Sequence, residues 1–199
     1  MRKLVYYIAS SIDGFIADET GAFDAFPVSD AYLHHIATHL PETLPTHVRD
    51  ALGIQGGPQR FDTVLMGRAT YEPARLAQIT SPYAPLRQYV FSRHLPPSTD
   101  PTVSVVAGDP VPVVQQLKAE QTDSDIWLCG GGDLATQLVD EIDELLIKVN
   151  PIILGQGIPL FRGVPDPHRF VLAGQDVQDG GILWVHYTAV KGDSEQTES

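Results

Sequence analysis

Three apolar runs in this sequence end in residues suited to holding a phosphate. Ile126-Trp127-Leu128-Cys129 leads into Gly130-Gly131-Gly132, followed by Asp133-Leu134-Ala135. Glycines at the mouth of a helix let a backbone approach a ligand closely and leave N–H groups at the positive helix end, a cradle for a pyrophosphate. The segment fits G-x-G-x-x-A, yet no acidic residue stands about 20 positions on to hold a ribose, which disfavours a standard dinucleotide-binding domain. The plain alternative is a tight strand-to-helix turn. Val64-Leu65-Met66 runs into Gly67-Arg68-Ala69-Thr70, where a guanidinium and a hydroxyl can meet phosphate oxygens. Thr70 reads equally as a helix cap and Arg68 as a surface cation. Val90-Phe91 ends in Ser92-Arg93, again a hydroxyl beside a cation, or simply surface. Together the three junctions would line one edge of a sheet, where open α/β folds place their ligands.

Other reactive side chains carry less. Asp13 precedes Gly14, a placement that supports its own turn. Asp30 is either an acid or the N-cap of a helix, and Asp24 is a second candidate acid. His35 and His39 stand four apart, but no carboxylate or cysteine pattern completes a metal site, so an exposed helix face is expected and no metal. Cys129 is expected to be a buried apolar residue. No G-x-S-x-G nucleophile signature occurs.

The elements that must position these residues follow from the pattern. Lys3 to Ala9 is a strand rich in Val, Ile and Tyr, followed by the Asp13-Gly14 turn and an extended Phe15-Ile16-Ala17. Residues 18–28 form a loop. Ser29 or Asp30 caps a helix with Leu33, Ile36, Ala37 and Leu40 at helical spacing, ended by Pro41, and a short helix covers 46–52. Strands are expected at 63–66, 88–92, 103–107, 125–129 and 145–150, with helices from 70, over 111–120 and over 133–139. Two last strands, 170–176 and 182–191, join through Asp179-Gly180-Gly181 as a hairpin. The expectation is one α/β domain over residues 1–191: a mixed, mainly parallel sheet flanked by helices with a C-terminal antiparallel hairpin. The polar residues 192–199 read as a disordered tail.

Composition excludes several classes. The chain has 199 residues, 43% hydrophobic and 19% charged, with a formal net charge of −12, so nucleic acid and anionic membranes are not expected partners. No apolar run approaches the roughly 18 residues of a membrane span. One cysteine cannot form an internal disulfide, and the N-terminus reads as a strand and not a signal peptide, which implies a cytoplasmic protein.

Taken in order, five segments resemble the dihydrofolate-reductase-like superfamily. They are Ser11-Ile-Asp-Gly-Phe-Ile-Ala17, Met66-Gly-Arg-Ala-Thr-Tyr-Glu72, Phe91-Ser-Arg93, Gly130-Gly-Gly132 and Pro151-Ile-Ile-Leu-Gly-Gln-Gly-Ile-Pro-Leu-Phe161. The resemblance is nearest to the reductase domain of the bifunctional riboflavin-biosynthesis deaminase/reductase RibD and its stand-alone relatives, and it runs from about residue 3 to 190. It implies NADPH across the carboxyl ends of the strands. Gly67, Arg68, Thr70, Gly130, Gly131, Gly132 and Leu134 would hold the pyrophosphate side. Ser92 and Arg93 would meet the 2′-phosphate, and Ala9 and Ile16 the nicotinamide carboxamide. Leu154, Gly155, Gly157 and Phe161 would border the substrate pocket.

The activity implied is hydride transfer to a C=N or C=O bond of a small heterocyclic metabolite, pteridine- or ribosylaminopyrimidine-like, as in 5-amino-6-(5-phosphoribosylamino)uracil reductases. True dihydrofolate reductases carry a carboxylate on the helix after the first loop; here Asp30 is the candidate. Asp24 stands where relatives carry Asp-Trp, but Ala25 follows it and the aromatic is displaced to Phe26. Two other functions remain open, a dihydrofolate reductase proper and a non-catalytic NADP(H)-binding sensor or interaction module. The resemblance also implies a homodimer, and this chain lacks the H-x-E and P-C-x-x-C signatures of the deaminase partner domain.

Overall fold

The structure, a computed structural model, describes residues 1–190. Residues 191–199, including the end of the second hairpin strand and the expected tail, lie outside the described residues. An eight-stranded sheet runs through the molecule. Its strands are β1 (Leu4–Ser11), β3 (Phe61–Gly67), β4 (Arg87–Phe91), β5 (Val103–Val106), β6 (Asp125–Gly130), β7 (Glu144–Asn150), β9 (Phe170–Gln178) and β10 (Ile182–Ala189). They lie in the order β5-β4-β3-β6-β1-β7-β10-β9. Every pairing from β5 to β7 is parallel, and β10 pairs antiparallel with β7 and β9. The mainly parallel sheet with a terminal hairpin is the architecture the sequence implies. A second, two-stranded sheet pairs β2 (Phe15–Ala17) with β8 (Ile158–Pro159), and no sequence signal announces β8.

Helices cover both faces, as burial of the Val- and Leu-rich central strands requires. One side packs Val5, Tyr7, Val64, Met66, Trp127 and Trp184 under α1 (Asp30–His39), α2 (Thr46–Ala51) and α3 (Arg68–Leu76). The other packs Leu4, Tyr6, Leu65 and Leu128 under α4 (Pro110–Lys118) and α5 (Gly132–Gln137). The cap of α1 is Ser29, whose Oγ accepts the Tyr32 N–H at 3.1 Å. Asp30 therefore sits in the first turn instead of capping it, where a carboxylate meets the positive end of the helix. The helix expected from Thr70 begins two residues earlier, at Arg68, with Gly67 as its cap residue.

At the amino ends of the strands an ionic cluster closes the sheet. Glu144, 3% exposed, accepts from Lys3 Nζ at 2.5 Å, Arg60 Nη2 at 2.5 Å and His186 Nε2 at 2.8 Å. Burial pushes the Glu144 carboxyl up, but these hydrogen bonds outweigh it and hold it down at about 2. A depressed carboxylate stabilises the fold above its unfolded pKa of 4.5 and loses that contribution as pH falls toward about 2. Glu144→Gln is accordingly expected to cost about 2 kcal/mol at pH 7. Thermal melts should show the gap to wild type closing across that acid window, and a gap independent of pH would contradict this account.

Candidate active site

Because β5, β4, β3, β6, β1 and β7 are parallel neighbours, their carboxyl ends share one edge. That edge collects the three phosphate-suited junctions. A Cβ built on Gly67, at the end of β3, would lie 3.5 Å from the Gly130 carbonyl oxygen and 3.6 Å from the Gly131 nitrogen. One built on Gly131 would lie 3.5 Å from Ile16 Cδ1 and 3.7 Å from Thr70 Oγ1. Two strand-to-helix turns and the β2 strand thus meet at the glycines, whose peptide between residues 130 and 131 is cis. Leu134 anchors α5 in the core at 5% exposure. Gly132 differs from its neighbours. A Cβ there would collide with the Pro159 carbonyl, so this glycine admits the β8 segment and does not face open space.

The cations at this edge differ in how free they are. Arg68 is half-exposed and pairs with Glu72 one helical turn on at 3.7 Å. Arg93 is exposed, and no carboxylate pairs with it among the described residues. Ser92 is buried, and its Oγ accepts from the N–H groups of His94 at 3.3 Å and Leu95 at 3.1 Å. The Ser92 hydroxyl shapes the turn that carries Arg93 and keeps its own proton to donate.

Residues 154–161 fold back over the β1–β2 turn. The Asp13 carboxylate accepts from Leu154 N at 3.1 Å and Gly155 N at 2.7 Å. Its pKa is lowered, first by a hydrogen bond from Ser11 and further by these backbone donors. Asp13 is thus a long-range clamp, where the sequence suggested a residue serving its own turn. Gly157 has φ +155° and lies against the Ala17 carbonyl, a conformation and a closeness that exclude a side chain. The Tyr6 hydroxyl donates to the Leu160 carbonyl at 3.1 Å, and Phe161 meets the Tyr6 ring edge-on at 5.4 Å. Leu154, Gly155, Gly157 and Phe161 therefore belong to one strap bound to β1, β2 and α5.

Both candidate acids, Asp24 and Asp30, are exposed. On the α1 side of the sheet the buried groups include a cation. Lys148 of β7, 2% exposed, pairs in register with Ala9 of β1 and Trp184 of β10. Its Nζ donates to the Pro27 carbonyl at 3.1 Å and sits 3.6 Å from the centre of the Tyr32 ring. Burial alone pulls its pKa down to about 8. Sequence reasoning passed over Lys148. The available signal was a lysine within Leu145-Leu-Ile-Lys-Val-Asn150, on a parallel strand whose two faces both have to be covered.

The remaining candidates are structural. His35 is not on an open helix face, since its ring lies 5.1 Å from Trp184 and 4.7 Å from His39. Burial lowers its pKa, which favours the neutral ring. Among the described residues no group of three or more His, Cys, Asp or Glu is arranged for a metal ion. Cys129 is buried, and burial pushes its thiol up to about 12. A recess of about 290 Å³ lined by Met1, Arg2, Lys3, Asp143 and Glu144 lies at the opposite, amino-end edge of the sheet, away from the glycines. No helix of the described residues is long and apolar enough to cross a membrane.

Comparisons with known proteins give the family and the fold. Residues 2–182 match the family described as RibD C-terminal domain. The uncharacterized protein YwjB of Bacillus subtilis (strain 168) is 32% identical over 188 residues, covering 94% of this chain and 97% of its own. Among solved structures, a protein of Shewanella sp. PV-4 named for riboflavin biosynthesis superposes with a TM-score of 0.69 at 24% identity, covering 96% of this chain and 100% of that one. A diaminohydroxyphosphoribosylaminopyrimidine deaminase/5-amino-6-(5-phosphoribosylamino)uracil reductase of Thermotoga maritima gives 0.61 at 18% identity, over 95% of this chain and 57% of that one. At these identities the two structures speak to the fold.

Proposed function

From the premise that this chain belongs to the RibD C-terminal domain family, we propose that it is an NADPH-dependent reductase of a small pyrimidine-type metabolite. The observation that carries the reading is the meeting of the Gly67, Gly131, Thr70 and Ile16 positions at one sheet edge, with Arg93, to which no carboxylate is paired among the described residues, at the end of the strand beside β3. A dinucleotide fits such an edge, because its pyrophosphate needs close backbone and hydroxyl donors and its 2′-phosphate needs a cation. When bound, the dihydronicotinamide supplies the hydride for a C=N or C=O bond.

The protein's own part is position. Gly67 and Gly131, packed close together with no side chain between them, would bring backbone N–H groups up to the diphosphate, and Thr70 offers a hydroxyl. Arg68, already tied to Glu72, contributes a long-range positive charge. Ile16 lies at Gly131 and Ala9 one strand from β6, so a ring laid between them would be held by apolar side chains and β1 backbone. The strap at residues 154–161, fixed by Asp13 and Tyr6, walls the reacting carbon from bulk water, which keeps a hydride donor from side reactions. A folate reading gains nothing from Asp24 and Asp30, both exposed.

The test is direct. Purified protein is titrated with NADPH and NADH by fluorescence, then supplied with 5-amino-6-(5-phosphoribosylamino)uracil and its dephosphorylated form while dihydronicotinamide absorbance is followed. Micromolar NADPH binding and turnover of either compound are the expected results. Failure to bind NADPH would overturn the proposal.

A further inference from the structure

Resting on the reductase reading, we infer that Lys148, with Trp184 and Asn150 beside it, is the substrate-recognition cation of this site and receives the oxygen-bearing edge of the reacting heterocycle. Three observations on one face of the sheet lead there. Lys148 is an ammonium at 2% exposure whose hydrogen-bond partner is a single carbonyl, that of Pro27. A buried ammonium is costly unless matched by a carboxylate, and none of the ion pairs among the described residues includes it. The aromatic face of Tyr32 at 3.6 Å compensates in part.

Two more buried polar atoms on this face have no hydrogen-bond partner among the described residues. Trp184 stands opposite Lys148 in register on β10, and its indole N–H is buried and unsatisfied. Asn150, two residues along the same strand and so on the same face, donates to the Ser10 and Lys148 carbonyls while its Oδ1 stays buried without a partner. Buried polar atoms are nearly always satisfied, so unsatisfied ones gathered in one place point to a ligand that completes them. The position suits a substrate. Lys148 pairs directly with Ala9, beside which the nicotinamide is proposed to lie, and its one hydrogen-bond acceptor, Pro27, belongs to the loop before α1 and not to the sheet.

The set is rich in donors, an ammonium and an indole N–H against one amide oxygen. It selects a ring edge of carbonyl or anionic oxygens, as in a pyrimidinedione, over an amino-substituted edge. In the bound state such an oxygen takes the place of the Pro27 carbonyl. The groups facing Lys148 from neighbouring elements, Tyr32 of α1, Trp184 of β10 and Ala9 of β1, bring no negative charge to compete.

The probes are orotate, a pyrimidinedione carboxylate, and 2,4-diaminopyrimidine, each titrated calorimetrically with and without NADP⁺. Wild type is expected to bind orotate at least about 10-fold more tightly than the diamine, and Lys148→Met to lose about 10-fold or more on orotate alone. Lys148→Arg, which keeps the charge, should retain the preference in part. A merely structural lysine would lower Tm on replacement, whereas Lys148→Met should melt at or above the wild-type temperature. Equal affinity of wild type for both probes, unchanged orotate binding in Lys148→Met, or a lowered Tm would each overturn the inference.

Should the methionine variant fail to fold, NMR of reductively methylated wild-type protein decides the matter. Saturating orotate must raise the pKa of the Lys148 resonance, and an unmoved resonance is fatal. NADPH affinity is measured on the same samples and is expected to stay within about 2-fold in Lys148→Met. Loss of NADPH binding by wild type would defeat the reductase reading, while the probe titrations still decide Lys148.

Discussion

Gly132→Ala is expected to lower Tm by about 4–10 °C, although alanine is the better helix former. The added methyl gains at most about 1 kcal/mol from helix propensity and a less flexible unfolded chain. Against that, its carbon falls on the Pro159 carbonyl, with the Leu160 carbonyl oxygen 3.4 Å away. Backbone cannot rotate aside as a side-chain end would, so β8 must shift or α5 must tilt. Overpacking of this kind costs about 1–3 kcal/mol or more, which outweighs the gain. The displaced strap is the one tied to Tyr6 and Asp13, so substrate turnover should fall along with stability. Gly57→Ala is the control, because nothing lies within 4 Å of its added carbon, and its Tm should stay within about 1 °C. Thermal melts of the two variants side by side are the measurement. Equal melting temperatures would mean that β8 is not seated on Gly132.

The second large effect concerns the choice of nucleotide. Arg93→Ala is expected to weaken NADPH by about 10–100-fold and leave NADH nearly unchanged, since a charge-assisted hydrogen bond contributes about 1.5–3 kcal/mol. Arg93 suits the role because it is exposed with no carboxylate paired to it among the described residues, and the turn anchored by Ser92 fixes where its backbone points. The chain's net charge of −12 repels an anionic dinucleotide at long range, so the local cations matter more than their number suggests. Arg68→Ala provides the comparison. That residue stands at the diphosphate junction, so both nucleotides should weaken together. Equal losses of NADPH and NADH in Arg93→Ala would remove the residue from the 2′-phosphate.

The strand–helix alternation and the glycine-ended runs were legible because they are local. β-Branched runs mark strands, and glycine or a capping hydroxyl marks where they turn. What escaped reading was non-local. β8 is two residues long and contains proline, so only its pairing with β2 makes it a strand. Asp13 looked like a turn residue because its partners, Leu154 and Gly155, stand 141 and 142 positions away. Ser29 and Asp30 were equal candidates for the α1 cap, and which one faces the Tyr32 N–H depends on where the loop enters. Lys148 was invisible for a related reason. A lysine in a strand reads as surface until α1 and β10 are known to close over it.

The placement of β1 has a further consequence, for a chain still being made. β1 emerges first, yet its neighbours in the sheet are β6 and β7, and the bond from Trp127 Nε1 to the Tyr7 carbonyl spans 120 residues. At about 5–20 residues per second, the ribosome needs on the order of ten seconds to deliver those partners. Through that interval Leu4-Val-Tyr-Tyr-Ile8 is an apolar strand with both edges unpaired. Until β6 and β7 emerge, the segment that will lie at the centre of the sheet is the one most in need of a chaperone.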